Sequence, residues 1–500
     1  MDTRRPPIAW GWLALVAAVL VCVHALCLTQ YGWFRDELYY LSCAHRLAWG
    51  YVDQPPLSIA LLKLVVAVAG PNLAALRLVA ALLVSLAAVM TGLVARQLGG
   101  RANAQALAAL AMGVAPDSLG TGHFYSMNAI DFVLWPYATL LALGALETPT
   151  TRRWIGLGIV LGLGLLNKWS VLWLGAGLAA YLVIARRQLL RTPGPWIAAG
   201  LAALFFAPNL WWEARTGWPT LEFMHNARTE KMVALRPLSF LWSQVLDLGP
   251  GAAPMWVAGL VASLARPAWR VIGVLYLATL AILLASGSAR TEYIALPSLA
   301  LFGAGAAWWG MRGRVATLVV GALALVLAVP LVPFAIPILP VQEFIAYQAA
   351  LGQSPATEER HRMGPLPQQY ADMFGWPEMA DSVARVAERL APGEMQRAIV
   401  VVDNYGEAGA LDRFGAGRVP RVACQHNNWY LWGPPAWDGQ VALLVRADSA
   451  DAAREFDHVE VAGKIDHPLA MPYERDLPIL IARGFHADLK AAWAQGKHFE

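Results

Sequence analysis

Tyr31 to Leu57, YGWFRDELYYLSCAHRLAWGYVDQPPL, is the stretch on which the reading of the whole chain turns. It follows at once on the first long apolar run and sets Asp36, Glu37 and Asp53 within a few residues of it. Ionisable groups so close to hydrocarbon cost several kcal/mol unless they are paired or wet, which makes them candidates for function. DELYYLSCAHRLAW reads as a short amphipathic helix, and PPLSIALLKLVVAVAG as a second one behind a Pro-Pro stop. Both are too short to span comfortably and are expected to lie at a membrane interface.

Working outward, the composition supplies the membrane. Of 500 residues 58% are hydrophobic and 14% charged, with a mean hydropathy of +0.47. Soluble domains average about 25% charged residues, so this is a polytopic membrane chain. Its net charge of +4 is spread through short loops, which bears on orientation and argues against a nucleic-acid partner. The start, MDTRRPP before IAWGWLALVAAVLVCVHALC, reads as a retained signal anchor, since the apolar run is long enough to span.

Measured against the roughly 20 residues a span needs, apolar runs fall at about 8–27, 73–95, 103–122, 127–146, 153–166, 168–185, 194–212, 251–265, 270–286, 291–309 and 314–335. The expectation is about eleven transmembrane helices plus the interfacial ones. Arg4 and Arg5, Arg96 and Arg101, Arg152 and Arg153, Arg186, Arg187 and Arg191, Arg266 and Arg270, and Arg312 and Arg314 occupy every second connection. That bias puts the N-terminus in the cytoplasm. The first loop (30–72), the turn near 123–127, Lys168, the long loop (213–250) and the Arg290 turn then face outward together. The long loop holds Glu213, Glu222, His225, Arg228 and Lys231 and could form a mobile cover. Past LAVPLVPFAIPILP the composition turns charged. Strand-like RAIVVVDNY and QVALLVRAD alternate with helix-like MADSVARVAERL and GEAGALDRFG. We therefore expect a membrane domain over 1–340 and a soluble α/β domain over 341–500, outside the membrane.

Asp36 and Glu37 are adjacent, so on a helix they point differently and should do different work; alternatively they solvate a helix start. Asp53, before the stiff Gln54-Pro55-Pro56 turn, could orient a carboxylate or cap the next helix. Asp131 enters an apolar run and needs a partner, such as a substrate hydroxyl or a cation. Asp117, after Pro116, is more simply a cap. Lys168, between two apolar runs, either snorkels or binds an anion. Arg290, Glu292 and Tyr293 follow a small-residue turn, where Arg290 could pair with Glu292 or grip a phosphate. His426, Asn427 and Asn428 form a polar cluster that could recognise sugar or, more simply, turn the chain. Cys22 and Cys27 belong to the first run, while Cys43 and Cys424 would share an oxidising compartment where a disulfide is open to them. No zinc-spaced Cys/His set, Walker loop, Gly-x-Ser-x-Gly elbow or dinucleotide fingerprint occurs.

The motif RDELYYLSCAHRLAWGYVDQPPL, the outward turn ending in Asp131, NKWSVLWL and PNLWWEARTGWPT together resemble the GT-C membrane glycosyltransferases that use polyprenyl-phosphate sugars. The resemblance is to the protein O-mannosyltransferase and aminoarabinose lipid A transferase superfamily, and within it to bacterial family 39 and Rgt-like members. DNYGEAGALDRFG and HNNWYLWGPP are similar to the external domain of a subset. The resemblance implies a membrane all-α bundle of GT-C type in the bacterial inner membrane. It implies inverting transfer of a sugar from a polyprenyl-phosphate donor to a lipid, lipopolysaccharide, other glycan or protein acceptor in the periplasm. Asp36 would be the base, with Glu37 its positioning partner or a cation ligand. Asp53, Asp131, Lys168, His225, Arg290, Glu292 and Tyr293 would meet substrate, Lys168 and Arg290 at the phosphate. No cofactor is called for, with a divalent cation left open. Gln54 stands where the aminoarabinose transferases carry a lysine, so a phosphate contact there is lost or moved. Two other classes fit the same residues: a flippase or transporter of lipid-linked sugars, with the acids as a proton path, or a non-catalytic receptor led by the external domain.

Overall fold

The computed structural model describes residues 5–234, 236–287 and 289–500; Arg4 lies outside them. The apolar sequence up to residue 335 folds into helices. The first run gives α1 (Trp10–Ala25), and the loop behind it gives α2 (Arg35–His45) and α3 (Leu57–Ala69). The succeeding runs give α4 (Leu73–Gln97), α5 (Ala102–Val114), α6 (Pro116–Thr121), α7 (Met127–Glu147), α8 (Thr151–Leu165), α9 (Val171–Ala185) and α10 (Pro193–Thr216). Then come α11 (Pro219–Asn226), α12 (Pro237–Asp247), α13 (Ala253–Ala265), α14 (Arg270–Ser286), α15 (Ala295–Gly310), α16 (Arg314–Ala328) and α17 (Val332–Ala335).

A helix thus stands at every apolar run, but most are short. Among the described residues, Leu73–Gln97, Met127–Glu147 and Arg314–Ala335 are long and apolar enough to cross a membrane, and a fourth span results if the pair Pro237–Asp247 and Pro250–Ala265, bent by 91°, is counted as one. The run at 103–122 is cut because Pro116 lacks the N–H that would continue it, so α5 stops at Val114 and α6 starts anew. Where the helices cross, small side chains let them approach: Ala80, Ala87, Ala88 and Ala108 are fully buried at the contacts of α4 with its neighbours.

Beyond residue 340 the chain forms α18 (Val341–Ala350), α19 (Gln368–Ala371), α20 (Trp376–Ala387) and α21 (Pro392–Arg397), then alternates strand and helix. β1 (Ile399–Val402), α22 (Tyr405–Phe414), β2 (Arg421–Cys424), α23 (Asn428–Trp432), β3 (Val441–Val445), β4 (Phe456–Ile465) and β5 (Leu477–Phe485) build one sheet of order β2-β1-β3-β5-β4. β1 pairs in parallel with β2 and β3, whereas β5 runs antiparallel to β3 and β4. VALLV of β3 is buried at all five positions, as expected of a strand covered on both faces.

The sheet region and the first loop share a core. Leu38, Tyr39, Leu41 and Tyr51 pack in the same buried cluster as Trp376, Val400, Leu411 and Ile479. Two glycines permit the contact of α2 with α22. A Cβ on Gly409 would lie 2.8 Å from the Leu38 carbonyl carbon, and one on Gly406 would lie 2.5 Å from Arg35 Cγ.

Candidate active site

The geometry of α2 depends on Glu37. Its side chain is fully buried and meets Arg77 of α4, with Arg77 Nε donating to Oε1 at 3.2 Å and Nη2 to Oε2 at 3.0 Å. Glu37 also accepts the Phe34 N–H that opens its own helix and the Tyr125 N–H, each at 3.0 Å. The same guanidinium donates to the Leu28, Gln30 and Gly32 carbonyls. A buried carboxylate with this many donors is fully engaged, so Glu37 fixes where α2 sits rather than facing a ligand.

Asp36, one residue earlier, emerges on the other side of the helix. Its side chain is 28% exposed, and Oδ1 accepts from the Tyr405 hydroxyl of α22 at 2.9 Å. Asp53 lies nearby behind Tyr39, whose hydroxyl reaches Asp53 Oδ1 at 3.1 Å and Asn428 Oδ1 at 2.9 Å. Asn428 also accepts the Val52 N–H at 2.7 Å, which pins the turn that carries Asp53. Burial, and then the charge of Asp36, push the Asp53 carboxyl up to about 7. Gln54 turns inward, accepts from Ser58 Oγ at 2.7 Å and is buried.

Cations stand beside these acids. Arg35 donates to the Tyr473 hydroxyl at 2.8 Å and faces Asp372 at 3.8 Å. Arg290 Nη2 meets Glu359 Oε1 at 2.7 Å, Lys231 Nζ lies 4.0 Å from the same oxygen, and His361 Nε2 lies 3.6 Å from Oε2. Burial lowers the Lys231 ammonium, with Glu359 opposing the shift. Lys168 Nζ donates to Asn128 Oδ1 at 2.6 Å and sits 4.7 Å above the Tyr293 ring. Lys168, Arg290 and Tyr293 therefore gather around one turn, Thr291–Ile294, ahead of α15. Glu292 of that turn faces Glu358, whose carboxyl is raised first by burial and next by this neighbour.

Several residues singled out in the sequence take other places. Asp131 is fully buried and holds Asn167 Nδ2 and Ser170 Oγ, each at 2.7 Å; these give the charge its partners, and the bonds tie the α8–α9 turn to α7 instead of opening to a substrate. His225 is exposed on α11 and joins none of the charges above. Cys43 and Cys424 are both buried, and neither is disulfide-bonded. Among the described residues no group of three or more His, Cys, Asp or Glu side chains is disposed to hold a metal ion. The stretch His426 to Asn428 does turn the chain, but Asn428 Oδ1 also accepts from the Tyr39 hydroxyl that meets Asp53. Tyr405, Tyr473, Asp372 and Glu359 were not anticipated. Arg77 had a readable signal, a lone guanidinium in LAALRLVAALL, where an unpaired charge is expensive.

Residues 53–212 match the family described as dolichyl-phosphate-mannose-protein mannosyltransferase. An undecaprenyl phosphate-alpha-4-amino-4-deoxy-L-arabinose arabinosyl transferase of Pseudomonas fluorescens is 28% identical over 218 residues, which is 39% of this chain and 36% of that one. The lipid A galacturonosyltransferase RgtD of Rhizobium johnstonii is 29% identical over 212 residues, 40% of this chain and 43% of its own. The chain thus spans less than half the length of these curated relatives. In three dimensions, ArnT from Cupriavidus metallidurans superposes with a TM-score of 0.60 at 17% identity, covering 95% of this chain and 98% of ArnT. The fold is that of ArnT, and the superfamily resemblance read from the sequence is borne out by the family match and the two relatives.

Proposed function

We propose that this chain is an inverting membrane glycosyltransferase that moves one sugar from a polyprenyl-phosphate carrier to an acceptor on the periplasmic face of the bacterial inner membrane. The observation that carries the reading is the pairing in one region of a partly exposed carboxylate, Asp36, with cations able to hold a phosphate. The relatives support it: one is named for an undecaprenyl phosphate-linked sugar, the other for lipid A, and ArnT has been seen bound to undecaprenyl phosphate. A lipopolysaccharide acceptor is the first to assay.

The chemistry asks little more of the protein. Asp36 takes the proton of an acceptor hydroxyl as its oxygen attacks the anomeric carbon. The bond from that carbon to the phosphate oxygen breaks on the opposite face, and the polyprenyl phosphate leaves with the electron pair. Because a phosphate leaves without being protonated, one base and a cationic grip suffice. Glu37 and Arg77 hold α2 so that Asp36 points outward, and Tyr405 orients its carboxylate. Arg290 and Lys168 are the phosphate grips in this reading, with Tyr293 under the Lys168 ammonium. Gln54 is buried against Ser58, so in this reading the anion contacts are those of Arg290 and Lys168. The eleven helices, several shorter than the bilayer, are taken to span with help from local thinning and snorkelling of flanking residues. Residues 1–340 form the membrane domain and 341–500 a periplasmic one.

Asp36→Asn keeps the shape and removes the base. With a hydroxyl acceptor its turnover should fall by about 10² to 10⁴ while donor binding is retained. Transfer by the purified variant at the wild-type rate would remove Asp36 from the role and the site assignment with it.

A further inference from the structure

Glu359 sits on the segment between α18 and α19, far in sequence from Lys231 and Arg290. Its side chain is 2% exposed, yet it is met by Arg290 at 2.7 Å, His361 at 3.6 Å and Lys231 at 4.0 Å, while Gln368 Nε2 donates to Oε2 at 2.8 Å. Burial disfavours the ionised carboxylate, but Lys231, Arg35 and Arg290 outweigh it and hold Glu359 down at about 2, so it is an anion at any physiological pH. The cage is too wide for its occupant. A planar carboxylate reaches hydrogen-bond distance of Arg290 alone among these three groups; burial lowers the His361 imidazole, so it stands as a neutral donor, and among the described residues Lys231 Nζ has no hydrogen bond at all. A phosphate, with its oxygens spread over a tetrahedron, could meet all three at once. The backbone beside Glu359 is already anchored without its side chain: Val233 N–H bonds the Glu358 carbonyl at 3.0 Å, and Arg360 N–H the Lys231 carbonyl at 2.9 Å. Turning the side chain away therefore gives up its contacts with Arg290, Lys231, His361 and Gln368 but leaves the segment in place.

We propose that Glu359 is a built-in stand-in for the donor phosphate: the polyprenyl phosphate enters the nest of Arg290, Lys231 and His361 by displacing it. The inference rests on the transferase reading above and adds two phosphate ligands, Lys231 and His361, and a competing anion. It makes donor affinity a difference between two anions at one site, so the empty enzyme keeps its cations neutralised and releases spent carrier readily.

Decaprenyl phosphate binding to the full-length protein in detergent tests this on wild type, Glu359→Gln and Arg290→Gln. Glu359→Gln should bind about tenfold more tightly and Arg290→Gln at least tenfold more weakly. Equal or weaker binding by Glu359→Gln makes Glu359 a structural anion and overturns the inference while leaving the transferase intact. Failure of the wild type to bind any polyprenyl phosphate overturns both. Inorganic phosphate should compete only at millimolar concentration, and competition at micromolar concentration would make this a free-phosphate site. Should the Gln variant not fold, a cryo-EM structure of the wild type with decaprenyl phosphate decides. Arg290 on the lipid phosphate with Glu359 swung away supports displacement, and an intact Arg290 to Glu359 pair beside bound lipid refutes it.

Discussion

Asp53 shows how one side chain can carry an energetic debt for the site. Burial and the neighbouring Asp36 raise its carboxyl from 3.8 to about 7, so the folded protein holds a proton there that the unfolded chain has lost. Between those values the folded state binds the extra proton, and stability falls as pH rises from about 4 to 7, then stays level. Asp53→Asn removes the slope. Its thermal unfolding in detergent should converge on the wild type near pH 4 and lie above it at pH 8, by about 1 to 3 kcal/mol. Parallel curves across that range would mean that Asp53 is ionised and paired throughout. Asp36, Asp53, Lys168, Arg290 and Tyr293 were all visible in the sequence as polar residues beside lipid, because that signal is local. Tyr405 was not, since it acts on Asp36 across 369 residues; Asn428 was read as part of a polar cluster, but its bond to Tyr39 across 389 residues has no local signal. Glu359 was hidden differently. In ATEERHR it resembles any solvated charge run, and only folding shows it buried.

Among the elements, α2 is the one on which the site hangs, and its two faces are held by different parts of the chain: Arg77 from α4 and the glycine face of α22. The seam gives a sharp expectation. A Gly409→Val side chain would meet the Leu38 backbone, which cannot swing aside as a long side chain can, so stability should drop by about 1 to 3 kcal/mol through overpacking. Activity should fall with it as Tyr405 withdraws from Asp36. Gly393, on α21, has open space where a Cβ would go, and Gly393→Ala should stay within about 0.5 kcal/mol of the wild type. If the two variants unfold at the same temperature, the seam does not bear on stability. Helix positions were legible because apolar runs bounded by Arg-rich turns leave few alternatives. Their lengths were less so: a hydropathy pattern does not register the break at Pro116 or the 91° bend before α13. The strands RAIVVVDNY and QVALLVRAD could be read from the sequence, but not their order, which sets β3 between β1 and β5.

For the whole molecule, the shared core of the first loop and the sheet limits the topology. Leu38 and Tyr39 pack with Val400 and Ile479, and Tyr405 bonds Asp36, so the first loop and the carboxyl-terminal part must lie on the same side of any bilayer. The Arg-bearing turns occupy the alternate connections, and short cytoplasmic loops carry such charges. In the orientation proposed here the first loop, the Arg290 turn and the sheet lie in the periplasm. A reporter that is active only after export, fused after Pro340, should be active, and one that is active only in the cytoplasm should be silent. The opposite pattern would turn the molecule over. It would put Asp36 and the cationic nest on the cytoplasmic face, and a periplasmic acceptor could then no longer be the substrate, even if every contact within the site were correct.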